Sequence, residues 1–493
     1  MKIVTPSLFY QYAACPHWIW YDKFGDQSKR GAVPELAQKL MEQGVVHEME
    51  YVKDLSFEHV ATKDAKDAVA QTMKLMKAGA ELIYQGMIEA EISSEGGSAS
   101  GGDGVVWRGR PDLLEKRLGK SKFGDWYYAP VDIKSAHTVH DEHALQLGLY
   151  AAVLREVQGA LPKEAAIINI DGERIAQPIS KALIDKTGRR VREIEKVLDG
   201  EKPPLKLGTK CKHSPWFEEC IRSAEEADDV CLVYNVHQKT LTDLRANGIK
   251  TVHDAAKMNV EALPKITHAS EATLTRIKLQ AQSLIENKMK WIGTPSMPEA
   301  SFELYFDIEG DPLLDVQYLF GFWVRGDAGG KYATIGKIHR DPGAEGYYLY
   351  FLAEKPEDEQ KMWQDFLQWI ELLPYEDLVV YHYAPYERVQ IDQLAAFHGG
   401  SEALTRFRDC LVDLAKVVQA SVIFPTYFYS IKNLAKFFDH KWRHKKAGGA
   451  QSIFWYEQWL ETGDRNVLQD IIEYNEDDVI ATHGLHAWLK KNG

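Results

Sequence analysis

The sequence predicts an α/β protein in which two α/β domains are joined by a small helical module. A chain of 493 residues is too long for one hydrophobic core, and domains of roughly 100 to 200 residues each suggest two to four of them. Helical patterns alternate with strand-like runs in residues 1–225, and strand-like runs return in residues 296–493. Residues 226–295, between them, carry short helical segments. We therefore expect three domains with these boundaries.

Charge, apolar segments and cysteine content narrow the expected cellular compartment and the expected binding partners of the protein. The formal net charge of -13 argues against a surface covered in phosphate-binding Lys and Arg, although a local basic groove is compatible with it. The N-terminus lacks the basic start and apolar run of a signal peptide, and no stretch reaches the roughly 18 apolar residues that cross a bilayer. Five cysteines are too few and too scattered for a disulfide framework. We expect a cytoplasmic protein.

The first region mixes helical and strand-like patterns. Residues 35–52 and 65–87 have the apolar spacing of helices. Residues 93–104, SSEGGSASGGDG, are rich in Gly and Ser and predict a flexible hairpin insertion. The strand-like runs are residues 105–116, 126–135 and 164–170.

The middle region has helical patterns, whereas the last region begins with strand-like runs. LTDLRANGIKTVHDAAKM predicts a compact helical hairpin, in which Gly248 ends one helix and Thr251 begins the next. Residues 272–289 are also helical in pattern. In the last region the strand-like runs are FELYFDIEG, VQYLFGFWV, YATIGKI and DLVVYHY, and helices follow them.

The last region holds an ordered set of carboxylates. Asp307 and Glu309 are two residues apart in FELYFDIEG, so they share one face of a strand. Tyr474 and Asp478 are one helical turn apart near the C-terminus and share a helix face. Glu387 begins a helix after the buried strand DLVVYHY. Such a set matches two-metal phosphodiester hydrolysis, in which carboxylates hold two Mg²⁺ or Mn²⁺ ions about 4 Å apart and Tyr474 orients the attacking water.

These motifs resemble the DEDDy branch of the RNase H-like exonuclease superfamily, which has D-x-E on a strand and Y-x-x-x-D on a helix. The resemblance implies metal ligation by Asp307, Glu309, Glu387 and Asp478, and 3′ to 5′ attack. The middle motif of the family usually ends in Asp, whereas this chain has Glu387, which is one methylene longer. Two alternatives are unrelated surface carboxylates and a fold of this superfamily without turnover.

The first region holds a second set, which includes a lysine. Asp112 lies in the predicted strand of residues 105–116, and Asp132 and Lys134 share one face of the next strand. Two acids and a lysine can provide a metal-ligand pair and a cation that helps to activate water or offsets phosphate charge. The alternative is a surface ion pair between Asp132 and Lys134.

The elements GVVHE, GRPD, DIK and QLGLY occur in this order and resemble the PD-(D/E)xK nucleases of the RecB-like type, including the CRISPR-associated exonucleases. His47 could instead be a packed helix residue. The roles that the resemblance implies are metal binding for His47, Asp112 and Asp132, catalysis for Lys134, and active-site or DNA contacts for Gln146 and Tyr150.

Many RecB-like relatives hold an iron–sulfur cluster through one cysteine near the N-terminus and three after the nuclease core. Of the three cysteines expected after the nuclease core, the middle one is replaced by Ser214 in this chain. Serine is a poor iron ligand, so His213 or Cys231 would have to take its place. The alternatives are a degenerate site that packs as ordinary structure, and a zinc site. The cysteines that the resemblance implies for a 4Fe–4S cluster are Cys15, Cys211 and Cys220, with Cys231 as a substitute.

Together the two resemblances match prokaryotic RecB-like nucleases with a fused RNase H-like domain. They imply a metal-dependent nuclease, and more narrowly an exonuclease, that acts on single-stranded or end-exposed DNA through two potential active sites.

The middle module resembles helix-hairpin-helix modules, which hold a phosphate through backbone amides, or is a plain connector. DNA is favoured over RNA, and helicase or other repair or defence proteins are further candidate partners. The rival hypotheses are catalysis by only one domain, a non-enzymatic nucleic-acid-binding component of a repair or defence assembly, and a metal hydrolase that acts on small phosphoesters.

Overall fold

The computed structural model describes residues 2–92, 105–136, 140–263, 266–312, 314–340, 345–444 and 449–493. The chain forms two compact units, Met1–Ala227 and Asp228–Gly493, and each has its own hydrophobic core. Both units combine helices with mixed sheets, so the chain has the α/β class that the sequence predicts. The predicted hairpin insertion, residues 93–104, lies outside the described residues.

The first unit contains the following elements. Its helices are α1 (Pro6–Ala14), α2 (Pro16–Phe24), α3 (Glu35–Val52), α4 (Ala65–Ala78), α5 (Asp141–Gln158), α6 (Lys181–Leu198) and α7 (Phe217–Glu226). Its strands are β1 (Ile3–Val4), β2 (Glu58–His59), β3 (Leu82–Tyr84), β4 (Ile88–Ile92), β5 (Val105–Gly109), β6 (Leu113–Ser121), β7 (Gly124–Ile133), β8 (Glu164–Ile168) and β9 (Arg174–Pro178).

These strands form two sheets. A six-stranded mixed sheet has the order β2-β3-β6-β7-β8-β9, and a three-stranded sheet has the order β1-β5-β4. Helix α5 is the most buried helix of this unit and packs against strands of both sheets. Its almost unbroken run of buried residues explains why its sequence is apolar on more than one face.

Residues 105–116 form two strands, so the prediction of a single strand is wrong. The chain leaves the three-stranded sheet at the end of β5 and enters the six-stranded sheet at the start of β6. Pro111 lies between the two strands, and a proline has no N–H to continue a ladder. Asp112 is therefore at the bend between the sheets and not within a strand.

The second unit contains the following elements. Its helices are α8 (Gln238–Ala246), α9 (Val252–Lys257), α10 (Glu271–Glu286), α11 (Glu359–Ile370), α12 (Tyr386–His398), α13 (Glu402–Asp409), α14 (Leu414–Ser421), α15 (Ile431–Leu434), α16 (Gly449–Thr462) and α17 (Arg465–Asn492). Its strands are β10 (Lys290–Trp291), β11 (Phe302–Asp311), β12 (Val316–Arg325), β13 (Lys337–His339), β14 (Gly346–Leu352), β15 (Leu378–His382), β16 (Leu411–Asp413) and β17 (Val422–Ile423).

Strand β11 is central in a six-stranded sheet of the order β13-β14-β12-β11-β15-β16. It is antiparallel to β12 and parallel to β15. Its side chains alternate between two helical layers: Phe306 stacks with Phe366 of α11, and Tyr305 contacts His486 of α17. Odd-numbered residues of β11 therefore face α17. The short strands β10 and β17 pair with each other outside this sheet.

The predicted helical hairpin is present in the second unit as α8 and α9. Asn247 ends α8, and Gly248 follows with a left-handed φ of 81°. Thr251 begins α9: its hydroxyl accepts a hydrogen bond from Asp254 N at 2.9 Å, and the Asp254 carboxylate accepts one from Thr251 N at 2.9 Å.

Two other predicted elements are shorter in the structure. The helix predicted for residues 65–87 ends before Gly79, whose φ of 75° is left-handed, and β3 follows. Of the predicted strand YATIGKI only the end is a strand, β13, because Gly336 has a φ of 91° that no extended strand accommodates. Within the described part of the chain, no helix combines the length and the apolar composition needed to span a bilayer.

Candidate active sites

Strand β11 places two carboxylates on the face of the sheet that packs against α17. Asp307 Oδ2 accepts a hydrogen bond from Asn475 Nδ2 at 2.8 Å, and Glu309 Oε2 accepts one from Ser452 Oγ at 2.6 Å. The Asn475 carbonyl in turn accepts a hydrogen bond from Tyr348 at 2.8 Å. These contacts fix both carboxylates from neighbouring helices and strands.

Helix α17 adds a carboxylate and a phenol one turn apart. Asp478 Oδ1 accepts a hydrogen bond from Trp442 Nε1 at 2.6 Å. The Tyr474 hydroxyl accepts one from Lys432 Nζ at 2.6 Å and hydrogen-bonds to the Asp478 carboxylate. Tyr474 is therefore held between a cation and an anion, and its ring is buried.

Glu387 reaches the same cluster from the first turn of α12. Its carboxyl group hydrogen-bonds to Asp307, and its Oε2 lies 3.2 Å from His382 Nδ1. Between β15 and α12 the chain turns through Ala384, whose φ of 71° is left-handed and costs a residue with a side chain about 1 to 2 kcal/mol. Ala384 N donates to Asp413 Oδ1 at 3.0 Å, which holds the turn that directs Glu387 inward.

Burial and mutual repulsion dominate the electrostatics of the cluster. Burial raises the pKa of Asp307 well above its usual range, and the charges of Glu309 and Asp478 raise it further. Burial, with Asp478 adding to it, raises the pKa of Glu309 to about 8. Burial also raises the pKa of Asp478 to about 6, although Lys432 lowers it. A bound cation would relieve this repulsion.

A cavity of ≈ 490 Å³ is lined by the cluster residues Asp307, Glu309, Tyr474 and Asp478. One oxygen each from Asp307, Glu309 and Asp478 lie within 4.8 Å of one another. A set of carboxylate oxygens of this kind suits a hard divalent cation such as Mg²⁺ or Mn²⁺, because these ions prefer oxygen ligands. The donor set therefore fits the metal that the sequence motifs imply.

Sequence reasoning missed the side chains that hold this cluster. Lys432 and Trp442 lie in loop-rich segments with no periodic pattern that would associate them with the site. Gly321 offered a signal for Asn475, because an isolated glycine inside a strand pattern indicates close backbone approach. A Cβ atom at Gly321 would lie 1.6 Å from Asn475 Oδ1.

The first unit brings Asp112, Asp132 and Lys134 together. Asp112 Oδ2 accepts a hydrogen bond from Ile133 N at 2.7 Å, and Lys134 Nζ lies 3.0 Å from Asp132 Oδ2. Asp132 Oδ1 is buried and accepts no hydrogen bond from a described residue. Burial raises the pKa of Asp112 well above its usual range, with a further contribution from Asp132. An oxygen left without a donor in a buried acidic site fits a cation.

Glu48, the neighbour of the predicted ligand His47 on α3, contacts this set. Gln85 Nε2 donates to Glu48 Oε1 and also to Asp112 Oδ1, the latter at 3.3 Å. The charge of Glu48 contributes to the raised pKa of Asp112. By contrast, His47 Nε2 lies 3.3 Å from the carbonyl oxygen of Asn169. Metal binding by His47 stays a prediction, and its neighbour Glu48 is the residue of this helix that interacts electrostatically with Asp112.

Gln146 and Tyr150 are hydrogen-bonded to each other on α5. Gln146 Nε2 donates to the Tyr150 hydroxyl at 2.7 Å, and that hydroxyl donates to Arg110 O at 3.4 Å. Tyr150 is buried, and a Cβ at Gly109 would lie 2.4 Å from its ring. Burial raises the pKa of Tyr150, so the hydroxyl stays protonated. The half-buried Gln146 is the more accessible of the two.

Three of the four cysteines predicted for an iron–sulfur cluster come together in the first unit. Ser214 is buried, and its Oγ accepts a hydrogen bond from Trp216 N at 3.1 Å. His213 is exposed, and Cys231 belongs to the second unit. The cysteines that share one buried cluster in the first unit are Cys15, Cys211 and Cys220.

Each of the two α/β units brings acidic side chains together, and family models place both units in superfamilies of nucleases. Residues 9–221 match the family model of the PD-(D/E)XK nuclease superfamily, and residues 304–490 match that of the RNase_H superfamily. The chain therefore carries a PD-(D/E)XK nuclease domain followed by an RNase H-like domain, which is the fusion that the sequence motifs indicate. A comparison with curated proteins gave no match. Both superfamilies generally use divalent metals, and their nuclease members imply a nucleic-acid substrate.

Proposed function

We propose that the protein is a divalent-metal-dependent exonuclease that hydrolyses phosphodiester bonds of single-stranded or end-exposed DNA. The carboxylate cluster of the second unit is the primary active site, and the set around Lys134 in the first unit is a second hydrolytic site. The observation that carries the proposal is the convergence of Asp307 and Glu309 of β11 with Asp478 of α17 on one cavity. Glu387 of α12 joins this set through its hydrogen bond to Asp307.

In the primary site the four carboxylates hold the metal ions. When bound, Mg²⁺ or Mn²⁺ supplies water activation and neutralises charge on the phosphate. Tyr474 positions the attacking water, because its hydroxyl is fixed by Lys432 and Asp478 and its ring cannot rotate out of the core. His382 holds the longer side chain of Glu387 in the cluster, which compensates for the extra methylene.

The dimensions of the cavity favour a chain end over an internal segment of duplex. A cavity of ≈ 490 Å³ has the size of a small-ligand pocket and accommodates a terminal nucleotide. Tyr386 and two glutamines of α12, Gln390 and Gln393, also line it. A tyrosine ring can stack on an unpaired base without reading its identity, which supports a single-stranded end as the substrate.

The set in the first unit supports the same reaction with different residues. Glu48, Asp112 and Asp132 supply carboxylates, and Lys134 is half-buried next to them. Desolvation lowers the pKa of Lys134, but the charges of Asp132 and Asp112 outweigh it and raise that pKa. A lysine that stays charged offsets the phosphate and stabilises the negative charge that develops on it. Catalysis in the second unit alone is the rival, and the short Lys134–Asp132 ion pair favours it, because substrate or metal must displace that contact.

The test compares single-site variants on end-labelled substrates. Wild type, Lys134→Ala, Asp307→Asn and the double variant are incubated with linear single-stranded DNA, a single-stranded circle of equal length, and RNA, in Mg²⁺, Mn²⁺ or EDTA. We expect metal-dependent shortening of the linear DNA, an intact circle, partial loss of activity in each single variant and complete loss in the double variant. Lys120→Ala and Glu299→Gln, at exposed positions, are the matched controls.

Each contrary result has a distinct meaning. A cut circle would show endonuclease activity. Full activity in Lys134→Ala together with none in Asp307→Asn would leave the second unit as the sole catalyst. DNA binding that is unchanged in the double variant, without product under any condition, would identify a non-enzymatic binding component and refute the proposal.

A further inference from the structure

We propose that Cys15, His17, Cys211 and Cys220 form a mononuclear zinc site in the first unit, and that this chain holds no 4Fe–4S cluster. The site is separate from the carboxylate sets described above and does not depend on the proposed hydrolytic activity. Cys15, His17 and Cys220 are each no more than 1% exposed, and Cys211 is 3% exposed. Their burial excludes a role as solvent-accessible thiols.

The spacing of the ligand atoms matches one small ion. The Sγ atoms of Cys15 and Cys220 are 3.9 Å apart. Two thiolates bound to one zinc at about 2.3 Å in tetrahedral geometry are about 3.8 Å apart. A ring nitrogen of His17 lies within 4.8 Å of both sulfur atoms, and Cys211 is within hydrogen-bonding distance of Cys15. Cys15, His17 and Cys220 therefore form a three-ligand group, and Cys211, whose Sγ lies 3.6 Å from Lys206 O, is the fourth ligand that the proposal adds to reach the four that a structural zinc needs.

The second contact of His17 has the form expected for a zinc ligand. Its Nε2 lies 2.7 Å from the carbonyl oxygen of Pro203. A carbonyl only accepts hydrogen bonds, so Nε2 carries the proton and Nδ1 carries the lone pair. Histidines that bind metals commonly donate their other ring N–H to a backbone carbonyl, which fixes the tautomer and the ring orientation.

A 4Fe–4S cluster does not fit these residues. Each thiolate of such a cluster binds a different iron atom, so its ligand sulfurs lie further apart than two thiolates on one ion. The Cys15–Cys220 distance of 3.9 Å is too short for that arrangement. The middle cysteine is replaced by Ser214, whose hydroxyl caps Trp216 N, and the exposed His213 cannot replace it.

The proposed site joins the two ends of the first unit. Cys15 and His17 lie at the start of α2, and Cys220 lies 205 positions after Cys15 along the chain, with Cys211 shortly before it. Tyr21 stacks on Trp216 with ring centroids 5.2 Å apart, and Trp216 Nε1 donates to Asp22 Oδ1 at 2.8 Å. Cross-linking positions so distant in sequence removes much entropy from the unfolded chain. Zinc at this site would therefore stabilise the nuclease domain.

The test measures metal content in the full-length protein. The chain is produced in medium that contains both iron and zinc, purified without metal-affinity resin or chelator, and assayed for zinc, iron and acid-labile sulfide. The variants are Cys15→Ser and His17→Gln. The matched controls are Cys231→Ser and Cys410→Ser, at cysteines outside the cluster, and His213→Ala, at an exposed histidine next to it.

We expect about one zinc per chain without iron or sulfide in wild type and in the controls, and loss of that zinc in both variants. Replacing zinc by Co²⁺ in wild type should give a thiolate-to-metal charge-transfer band, which carboxylate sites do not produce. Iron with labile sulfide, absence of thiolate-bound metal from wild type, or equal zinc loss in Cys231→Ser would overturn the proposal. The wild-type measurements decide the question even if a variant fails to fold.

Discussion

Lys432 Nζ donates a 2.6 Å hydrogen bond to the hydroxyl of Tyr474 and lies 4.3 Å from the centre of its ring. The two residues are 42 positions apart, on different helices. The lysine carries positive charge to the edge of a cluster of four carboxylates, and the phenol donates a hydrogen bond to Asp478.

Tyr474→Phe should therefore lower the turnover of single-stranded DNA about 10²-fold, because the hydroxyl that positions water is lost. Metal affinity should change little, since the four carboxylates remain. The measurement is single-turnover hydrolysis at saturating Mn²⁺ together with Mn²⁺ titration by calorimetry. Tyr350→Phe, in which a half-buried tyrosine of β14 is changed, is the control. A large loss of metal affinity in Tyr474→Phe would show that the phenol acts through the ligands.

Asp307→Asn should make the metal-free protein more stable while it abolishes activity of the second unit. The substitution replaces a buried ionisable group, whose pKa burial and like charges raise, by a neutral amide, and it keeps an oxygen that can accept from Asn475. We expect an increase in the free energy of unfolding of roughly 1 to 3 kcal/mol in EDTA. Thermal denaturation with and without Mg²⁺ measures this. Wild type should gain more stability from Mg²⁺ than the variant, and an equal gain would contradict metal binding at Asp307.

Glu48→Gln should impair the first unit more than His47→Ala does. Glu48 is linked to Asp112 through Gln85, whereas His47 Nε2 lies at the Asn169 carbonyl. In an Asp307→Asn background, which silences the second unit, we expect a reduction of about 10²-fold for Glu48→Gln and less than about 10-fold for His47→Ala. The reverse order would restore the histidine as the ligand.

His486 should contribute a loss of stability of the second unit as the solution is acidified from pH 7 to pH 5. Burial lowers the pKa of this histidine to about 4, against about 6.5 in the unfolded chain. Between these values the unfolded chain binds the extra proton, so the contribution is complete above pH 6.5 and is lost as the pH falls. The difference amounts to roughly 2 kcal/mol between pH 7 and pH 5.

His486→Gln should flatten this part of the pH dependence, and the exposed His253→Gln should not. His486 Nδ1 lies 2.8 Å from the hydroxyl of Tyr305, which donates to Glu303. The carboxylates of the cluster have raised pKa values and contribute in the opposite sense. The comparison is therefore between variant and wild type in urea denaturation at each pH. Parallel curves for wild type and His486→Gln would exclude the histidine.

Local periodicity explains what the sequence could predict. Asp307 and Glu309 share a face because a strand repeats every two residues, and Tyr474 and Asp478 share one because a helix repeats every 3.6. The hairpin at Thr251 follows from a capping box that acts within four residues.

Tertiary packing explains the contacts that could not be predicted from the sequence. Lys432 meets Tyr474, and Glu48 joins Asp112 through Gln85, only because separate elements pack together, and no local spacing encodes those contacts. Asp112 was placed in a strand because the pattern on both sides of Pro111 is strand-like, yet the two sides belong to different sheets. Changes of sheet are not visible in a one-dimensional pattern.

Gly321 leaves room for Asn475 to reach across β12 to Asp307, since any Cβ there would collide with the amide at 1.6 Å. The size of the residue at position 321 thus limits the size of the residue at position 475, although the two are 154 positions apart along the chain. In related chains the residues at these two positions should covary. Where position 321 carries a side chain, position 475 should carry a smaller one than Asn, and a different donor should then orient the aspartate at position 307.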